Sequence, residues 1–270
     1  MRLIIGNGKV SQLIRRSGDA VLSRPNVDLR SKESIQKAVN EIRPTAVINC
    51  AAVTNLEYCQ DNKVEAYETN TLGSNNLLEV CANAGIKLVH ISSGCLFDGN
   101  QRITTESSLL TPRVWYTWTK AWADQYIENY GYENYLILRP RQLFCRLPYK
   151  SNIITKFASM REIRAIKEEN SAVCIEDLGH MIDHLLNVNA TGVFNCANEG
   201  TITPYDMAIG IRDRINPELR VSDISYEDFL KTIPNRRVNT IQAIDKLKST
   251  GYIPRNVKDA FEDCLINYGK

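Results

Sequence analysis

A tyrosine and a lysine lie four residues apart in this sequence, as Tyr116 and Lys120. On a helix, positions i and i+4 share one face, so the phenol and the ammonium are predicted to lie side by side. The pKa of a free tyrosine is about 10, and a neighbouring cation lowers it by stabilising the phenolate. The pair is therefore expected to pass a proton to or from a carbonyl or alcohol oxygen. The alternative is an amphipathic pair on a solvated helix.

A glycine turn follows the first apolar run and precedes a helical pattern. Glycines at such a strand-to-helix turn let backbone N–H groups approach a pyrophosphate. An ordinary glycine turn is the alternative interpretation, but the position after a first strand favours a dinucleotide site. The predicted phosphate loop consists of Gly6, Asn7, Gly8, Lys9, Val10 and Ser11.

The end of the second predicted strand indicates which cofactor binds. An acidic residue there would bind the ribose 2′-hydroxyl, whereas Arg24 can pair with a 2′-phosphate. NADPH is therefore favoured as the cofactor, and NADH is the alternative. Arg24 could instead be a solvated surface arginine. Asp28 is placed to reach the adenine edge. The other residues predicted to bind the cofactor are Leu29, Ala51, Ala52, Val53 and Asn70.

Composition excludes several classes of protein. The chain has 270 residues, a net charge of +2 and 43% hydrophobic residues, as in ordinary globular proteins. A nucleic-acid partner is not expected, because the densest basic run is only Asn235-Arg236-Arg237. A membrane span is not expected either, since no apolar run approaches about 20 residues. Eight cysteines without a C-x-x-C pair predict a reduced, cytoplasmic protein, and the N-terminus reads as a strand, not a signal peptide.

Short apolar runs alternate with helical patterns, which predicts an α/β fold with a doubly wound parallel sheet of the Rossmann type. Strands are predicted at 3–5, 20–22, 46–48, 88–91, 136–138 and 193–196, and helices near 31–42, 62–84, 115–130, 152–161 and 177–187. We expect a dinucleotide-binding domain over 1–145, to which 171–198 return, and mainly a smaller substrate-binding lobe over 146–270. No metal site is expected. His180 and His184 have metal-ligand spacing but lack the glutamate of a zinc-protease motif.

Several blocks together resemble the extended short-chain dehydrogenase/reductases, and within them the dTDP-4-dehydrorhamnose reductase family. The blocks are Asn49–Thr54, Asn70-Thr71, His90–Gly99 and Tyr116–Lys120, continued by Glu176–Leu178, Thr191–Asn195 and Asn239–Leu247. The phosphate loop departs from the family pattern, being one residue shorter and ending in Ser11. The resemblance implies a reductase triad of Ser93, Tyr116 and Lys120, in which Ser93 binds the substrate C4 carbonyl and Lys120 also binds the nicotinamide ribose.

Two segments, Ser93-Gly94-Cys95 and Asn152–Lys156, are similar to bifunctional nucleotide-sugar 3,5-epimerase/4-reductases that make activated rhamnose. This likeness implies that Cys95 and Lys156 move protons at C3 and C5, which a C4 ketone acidifies. A buried structural cysteine and a surface lysine are the alternatives. The residues predicted to bind substrate are Ser93, Gly94, Cys95, Arg141, Asn152 and Arg237.

The expected activity is NADPH-dependent reduction of a UDP- or dTDP-linked 4-keto-6-deoxy hexose with 3,5-epimerisation. Two alternatives stay open: a 4-reductase without epimerase activity, and a non-catalytic dinucleotide-binding subunit. The tryptophans Trp115, Trp118 and Trp122 form one stripe that is typical of a core or a subunit interface, so a homodimer also stays open.

Overall fold

The computed structural model describes residues 1–235 and 238–270. Its strands are β1 (Arg2–Ile5), β2 (Ala20–Leu22), β3 (Ala46–Asn49), β4 (Lys87–Ile91), β5 (Ile103–Thr104), β6 (Tyr135–Pro140), β7 (Leu143–Phe144), β8 (Glu162–Ala165), β9 (Val173–Cys174), β10 (Gly192–Cys196), β11 (Arg220–Asp223) and β12 (Ile241–Gln242). Its α-helices are α1 (Lys9–Ile14), α2 (Lys32–Ile42), α3 (Leu56–Asp61), α4 (Lys63–Tyr67), α5 (Gly73–Ala84), α6 (Trp115–Asn129), α7 (Ile153–Ala158), α8 (Ile175–Asn187), α9 (Pro204–Arg214), α10 (Tyr226–Lys231), α11 (Asp245–Ser249) and α12 (Val257–Ile266).

The central sheet has six parallel strands in the order β10-β6-β4-β3-β1-β2. Chain order reverses beside β1, which creates a crevice beyond the carboxyl ends of β1 and β3, where ligands bind in such sheets. The register aligns Ile4 with Ile48 and Ile48 with Val89, so successive strands end at one edge. The predicted fold class, a Rossmann-type parallel sheet, is confirmed.

Helices cover both faces of the sheet, because each strand is apolar on both sides. On one face Ile14 of α1 and Met181 of α8 pack into a core with Ile4. On the other face Ile35 of α2 and Leu78 of α5 pack against the neighbouring strand positions.

Local signals explain several helix starts. The side chain of Ser31 accepts a hydrogen bond from Ser34 N and begins α2, and the side chain of Thr203 does the same for α9 with Asp206 N. The helix predicted over 62–84 is instead interrupted by a π-helical segment at Glu68–Leu72. Such segments recur at functional sites, and this one carries Asn70.

The later part of the chain forms a third hydrophobic cluster, in which Ile154, Met207, Ile211 and Phe261 are buried. A small parallel pair, β8 with β11, lies beside it and was not predicted from the sequence. Within the described residues, no helix combines the length and the apolar character that crossing a membrane requires.

Candidate active site

The turns after β1 and β3 lie against each other at the carboxyl edge of the sheet. Gly6 has φ +118°, and a Cβ built on it would lie 3.0 Å from Ala51 N. Only glycine tolerates both this conformation and this approach. The two turns therefore form one continuous wall of the crevice, as a dinucleotide site requires.

In the rest of the glycine loop, one side chain bonds to the loop backbone and another extends away from the loop. Ser11 is fully buried, and its Oγ donates to Gly8 O at 2.8 Å. A Cβ at Gly8 would meet nothing within 4 Å, so this turn faces open space. Lys9 reaches out of the loop and donates to Ser151 O at 2.8 Å. Burial lowers the pKa of Lys9, and the Lys156 ammonium lowers it further. The loop is thus tied to the segment that carries Lys156.

The residues after β2 differ in what their side chains can reach. Arg24 is exposed, as a partner for a 2′-phosphate must be. Asp28 pairs with the Arg30 guanidinium at 2.6 Å, and this contact lowers its pKa to about 2. The Leu29 side chain is buried in the core beside Gly73. Among the residues of this segment that were predicted to bind the cofactor, the side chain of Arg24 is exposed and that of Leu29 is buried.

Asn70 joins the cofactor turn to the helix that carries the tyrosine. Its Oδ1 accepts from Val53 N at 2.7 Å, and its Nδ2 donates to Val53 O at 2.9 Å. The same Nδ2 donates to Thr119 Oγ1 at 3.0 Å. The widened turn of the π segment thus fixes α6 relative to the residues after β3.

Ser93 and Tyr116 meet at the mouth of the crevice. Their side chains share a hydrogen bond, and Ser93 Oγ also accepts from Cys95 N at 3.1 Å. The pKa of Tyr116 is raised, chiefly by burial and next by Cys95. The expectation that Lys120 lowers this pKa is not met in this structure, because burial of the phenol dominates and Lys120 Nζ is directed to Ile91 O and His90. The protonated phenol is therefore the form present at neutral pH.

Lys120 points beneath the tyrosine towards β4. Its Nζ donates to Ile91 O at 2.8 Å and lies 3.0 Å from His90 Nε2. The residue is 1% exposed. Burial lowers the pKa of Lys120 to about 8, against the opposing effects of Asp124 and Cys50.

A cavity of about 540 Å³ opens in front of Tyr116, between the sheet edge and the later part of the chain. Among the described residues, four cationic side chains and no carboxylate line it. Its far wall is apolar and aromatic, with Phe157, Tyr226 and Phe229. The cationic residues are Arg113, Arg141, Lys156 and Arg164.

Cys95 and Lys156 both line this cavity. The Arg141 guanidinium donates to Cys95 Sγ at 2.7 Å and is itself held by Asn170 Oδ1 at 3.1 Å. It also donates to the backbone oxygen of Val238. Lys156 is exposed on the short helix α7. The structure therefore places Tyr116, Cys95 and Lys156 around one space, with a fixed cation beside the thiol.

The comparisons with known proteins identify the family of the chain. Residues 4–269 match the model of the RmlD substrate binding domain family. The chain belongs to this family. A bifunctional dTDP-4-dehydrorhamnose 3,5-epimerase/dTDP-4-dehydrorhamnose reductase of Arabidopsis thaliana is 28% identical over 233 residues, covering 82% of this chain and 76% of that protein.

Two solved structures share the fold. A dTDP-4-dehydrorhamnose reductase of Bacillus anthracis in complex with NADP has a TM-score of 0.87 at 23% identity, covering 99% of this chain and 98% of that one. A UDP-rhamnose synthase of Acanthamoeba polyphaga mimivirus has a TM-score of 0.85 at 20% identity, covering 99% of both chains. The predicted family is therefore confirmed.

Not every substrate-binding residue predicted for this RmlD family member reaches the cavity. Asn152 is fully buried, and its Nδ2 donates to Cys145 O at 2.6 Å and Leu147 O at 2.9 Å. Its Oδ1 begins α7, so its side chain has a structural role here and the substrate-binding prediction is corrected. Arg237 and Arg236 lie outside the described residues.

Gly94 also has a packing role. A Cβ there would lie 2.8 Å from Gln242 Nε2 and 3.1 Å from Arg141 Cβ. Gln242 Nε2 in turn donates to Arg139 O at 2.8 Å. The glycine lets β12 approach the sheet edge, which positions Arg141.

Sequence reasoning missed three residues in this RmlD family site. His90 was quoted within a motif block without a role, although it is fully buried between Asn49 and Lys120. Asn239 lines the cavity with an Nδ2 that lacks a partner among the described residues. Arg164 lies on the unpredicted strand β8. For His90, its place three residues before Ser93 was the available signal.

The remaining candidates lie outside the cavity. His184 Nε2 contacts Thr250 Oγ1 at 3.0 Å, and His180 is exposed. Cys174 Sγ lies 3.6 Å from Cys264 Sγ and 3.2 Å from Glu176 Oε2. The ligand atoms of these three residues lie close enough together to hold a metal ion. Without a bound metal ion, the contact with Cys174 and burial raise the pKa of Cys264.

The tryptophan stripe forms an aromatic cluster on α6. Trp122 packs edge-on against Trp115 at 5.5 Å and Tyr67 at 5.7 Å between ring centroids. Trp115 Nε1 donates to Lys63 O at 2.9 Å. These contacts brace α6 from outside, on the opposite side from Lys120.

Proposed function

We propose that this protein reduces the C4 ketone of a nucleotide-linked 4-keto-6-deoxy hexose with NADPH and also epimerises C3 and C5. The product would be UDP- or dTDP-L-rhamnose or a related 6-deoxy-L-hexose. The observation that carries the proposal is the single cavity in which Tyr116, Cys95 and Lys156 face the same space. Similarity to bifunctional and NADP-bound relatives supports it.

The cavity suits a nucleoside diphosphate sugar. Guanidinium groups bind phosphate in a bidentate manner, and Arg113 and Arg164 lie in its described lining. Tyr226 and Phe229 offer apolar faces for a base. We take residues 146–270 as mainly the substrate-binding lobe and 1–145 with 171–198 as mainly the dinucleotide-binding part.

The chain's residues fit the cofactor. The open turn at Gly8 and the close contact of Gly6 with Ala51 leave backbone for a pyrophosphate, and Arg24 is exposed for a 2′-phosphate. When bound, NADPH supplies the hydride that C4 receives. Lys120 and Tyr116 would hold its nicotinamide ribose. We therefore propose NADPH, with NADH as the weaker alternative.

In the reduction, Ser93 orients the C4 oxygen and Tyr116 donates its proton to that oxygen as the carbon gains hydride. The ketone thus becomes an alcohol, and the phenol becomes a phenolate. Lys120, as an ammonium, stabilises the phenolate until solvent returns the proton. Burial keeps Tyr116 protonated before reaction, which suits a general acid.

In the epimerisation, one group removes the proton on C3 or C5 and another returns a proton on the opposite face. The C4 ketone holds the electron pair as an enolate between the two steps. Cys95 and Lys156 are assigned to these steps. Arg141 orients the Cys95 sulfur by its hydrogen bond at 2.7 Å.

The test is to incubate the protein with NADPH and UDP- or dTDP-4-keto-6-deoxyglucose and identify the sugar by NMR. A 6-deoxy-L-hexose confirms both activities. If the protein reduces only an already epimerised substrate, it is a 4-reductase without epimerase activity. Absence of NADPH oxidation with every substrate would contradict the enzyme assignment and favour a dinucleotide-binding subunit.

A further inference from the structure

His90 lies at the end of β4, directly beneath the proposed reductase triad. Its imidazole is fully buried. Nδ1 lies 3.3 Å from Asn49 Nδ2, and Nε2 lies 3.0 Å from Lys120 Nζ. A histidine held at both nitrogens has its tautomer decided by its neighbours.

The Asn49 amide fixes that tautomer. Its Oδ1 accepts from Ala51 N at 3.1 Å, so its Nδ2 must face His90. Nδ2 also donates to Ser74 Oγ at 3.2 Å, whose own proton goes to Asn70 O at 2.7 Å. Because Nδ2 only donates, His90 Nδ1 must accept. The ring proton therefore resides on Nε2.

This proton points at Lys120. An Nε2–H can donate to Lys120 Nζ only when that group is a neutral amine with a lone pair. Against an ammonium, two donors would face each other. A second acceptor is near: Asp124 Oδ1 lies 3.9 Å from His90 Nε2 and lacks a partner among the described residues.

We propose that His90 is a positioning residue that sets the charge of Lys120. Its Nε2–H donates to Lys120 in the amine form and redirects its hydrogen bond to Asp124 Oδ1 when Lys120 becomes an ammonium, while the proton stays on the ring. The protonation of Lys120 is thus coupled to the direction of one buried imidazole hydrogen bond. This inference rests on the proposed role of Lys120 in the triad.

The other charged and titratable groups around the pair come from three elements. Asp124 on α6 favours the ammonium, whereas Cys50 after β3 would do so only as a thiolate, which burial disfavours by raising its pKa to about 12. Arg139 on β6 donates to Asp124 Oδ2 at 3.0 Å and partly neutralises it, leaving Oδ1 for His90. Burial and the Lys120 charge hold the pKa of His90 well below its usual value, which is consistent with a neutral ring.

The first test uses the unaltered protein. The chain contains three histidines, so nitrogen-15 NMR of the imidazoles can assign each one. We expect His90 to show a protonated Nε2 and an unprotonated Nδ1 from pH 6 to 9. An Nδ1–H tautomer or an imidazolium would overturn the proposal.

The second test follows the Lys120 Cε resonance by carbon-13 NMR, assigned with Lys120→Met. In His90→Gln the amide can present its oxygen to Nζ, which favours the ammonium. We expect the titration midpoint to rise by about one pH unit or more. Ser92→Ala is the matched control, since Ser92 is buried beside His90 and its Oγ lacks a partner among the described residues.

An unchanged midpoint in a folded His90→Gln protein would contradict the proposal. If that variant does not fold, the imidazole tautomer of the unaltered protein decides. Both readouts need neither substrate nor turnover. A protein that shows the expected titration but no NADPH oxidation would therefore refute the proposed function and not this inference.

Discussion

Lys120 and Lys156 are two amines near the same site, and the protein holds them in opposite ways. Lys120 is buried, fixed by Ile91 O and His90, and has a pKa lowered to about 8. Lys156 is exposed on a helix of six residues. The buried amine lies on α6, and its Nζ donates to the last residue of β4 beneath Tyr116. The exposed one lies on the later part of the chain and lines the cavity that we propose holds the sugar.

The different environments of Lys120 and Lys156 predict that reduction and epimerisation can be lost separately by substitution. In the proposed function, Ser93, Tyr116 and Lys120 act in reduction. Cys95 and Lys156 are proposed to act in epimerisation. The predictions below test that separation.

The largest effect is expected for Tyr116→Phe. Loss of the general acid should lower kcat for NADPH oxidation by about 10³-fold, within the range for such groups. Deuterium exchange at C3 and C5 should continue, because it does not use the phenol. Tyr126→Phe on the same helix is the control, since Tyr126 contacts Glu79 and not the cavity. If Tyr116→Phe loses deuterium exchange as well as reduction, the two reactions do not use separate residues.

Cys95→Ala should have the opposite pattern. Exchange at C3 or C5 should fall by about 10²-fold, as expected for a lost general acid–base group. Reduction of a pre-epimerised substrate should be retained. Solvent-deuterium incorporation followed by mass spectrometry measures the first effect. Cys81→Ala, which alters a buried thiol of α5, is the control. Exchange at the normal rate would exclude Cys95 from the mechanism.

Lys156→Met should lower exchange by roughly 10-fold to 100-fold, less than Cys95→Ala, because water can reach an exposed site and replace part of its function. Lys150→Met is the matched control, since Lys150 is exposed in the same segment. The assay is the same deuterium incorporation, position by position on the ring. Equal exchange rates in the two variants would exclude Lys156 from the epimerisation.

The smallest effect is the pH dependence of reduction. The ammonium of Lys120 exists below its pKa and is lost above it. Because that pKa is about 8, kcat for a pre-epimerised substrate should be constant below it and fall as the pH rises through it. A pH profile that stays flat up to pH 10 would show that the phenolate does not need Lys120.

The sequence predicted well those features that depend on neighbouring residues. The spacing of Tyr116 and Lys120, the glycine turn and the alternating apolar runs are local, and the parallel sheet follows from them. Contacts between distant residues were not predictable. His90 is 41 residues from Asn49 and 30 from Lys120, and no periodicity relates them.

For Asn152, the local sequence was compatible with two roles, and the substrate-binding role was predicted. An asparagine before a helix fits both a substrate contact and an N-cap, and the structure uses it as the cap that also holds Cys145 O. The π segment was missed because its hydrophobic pattern matches that of an ordinary helix. Its effect, the placement of Asn70 against Val53, becomes visible only in three dimensions.

The most direct test of the central claim, that this protein performs both reactions, is an isotope-tracing experiment on a single product. The protein would convert 4-keto-6-deoxyglucose nucleotide in D₂O with unlabelled NADPH, and the position of each hydrogen would be read by NMR. We predict deuterium at C3 and C5 and protium at C4 in the same rhamnose molecule. Protium at all three carbons, or a product that keeps the gluco configuration, would contradict it.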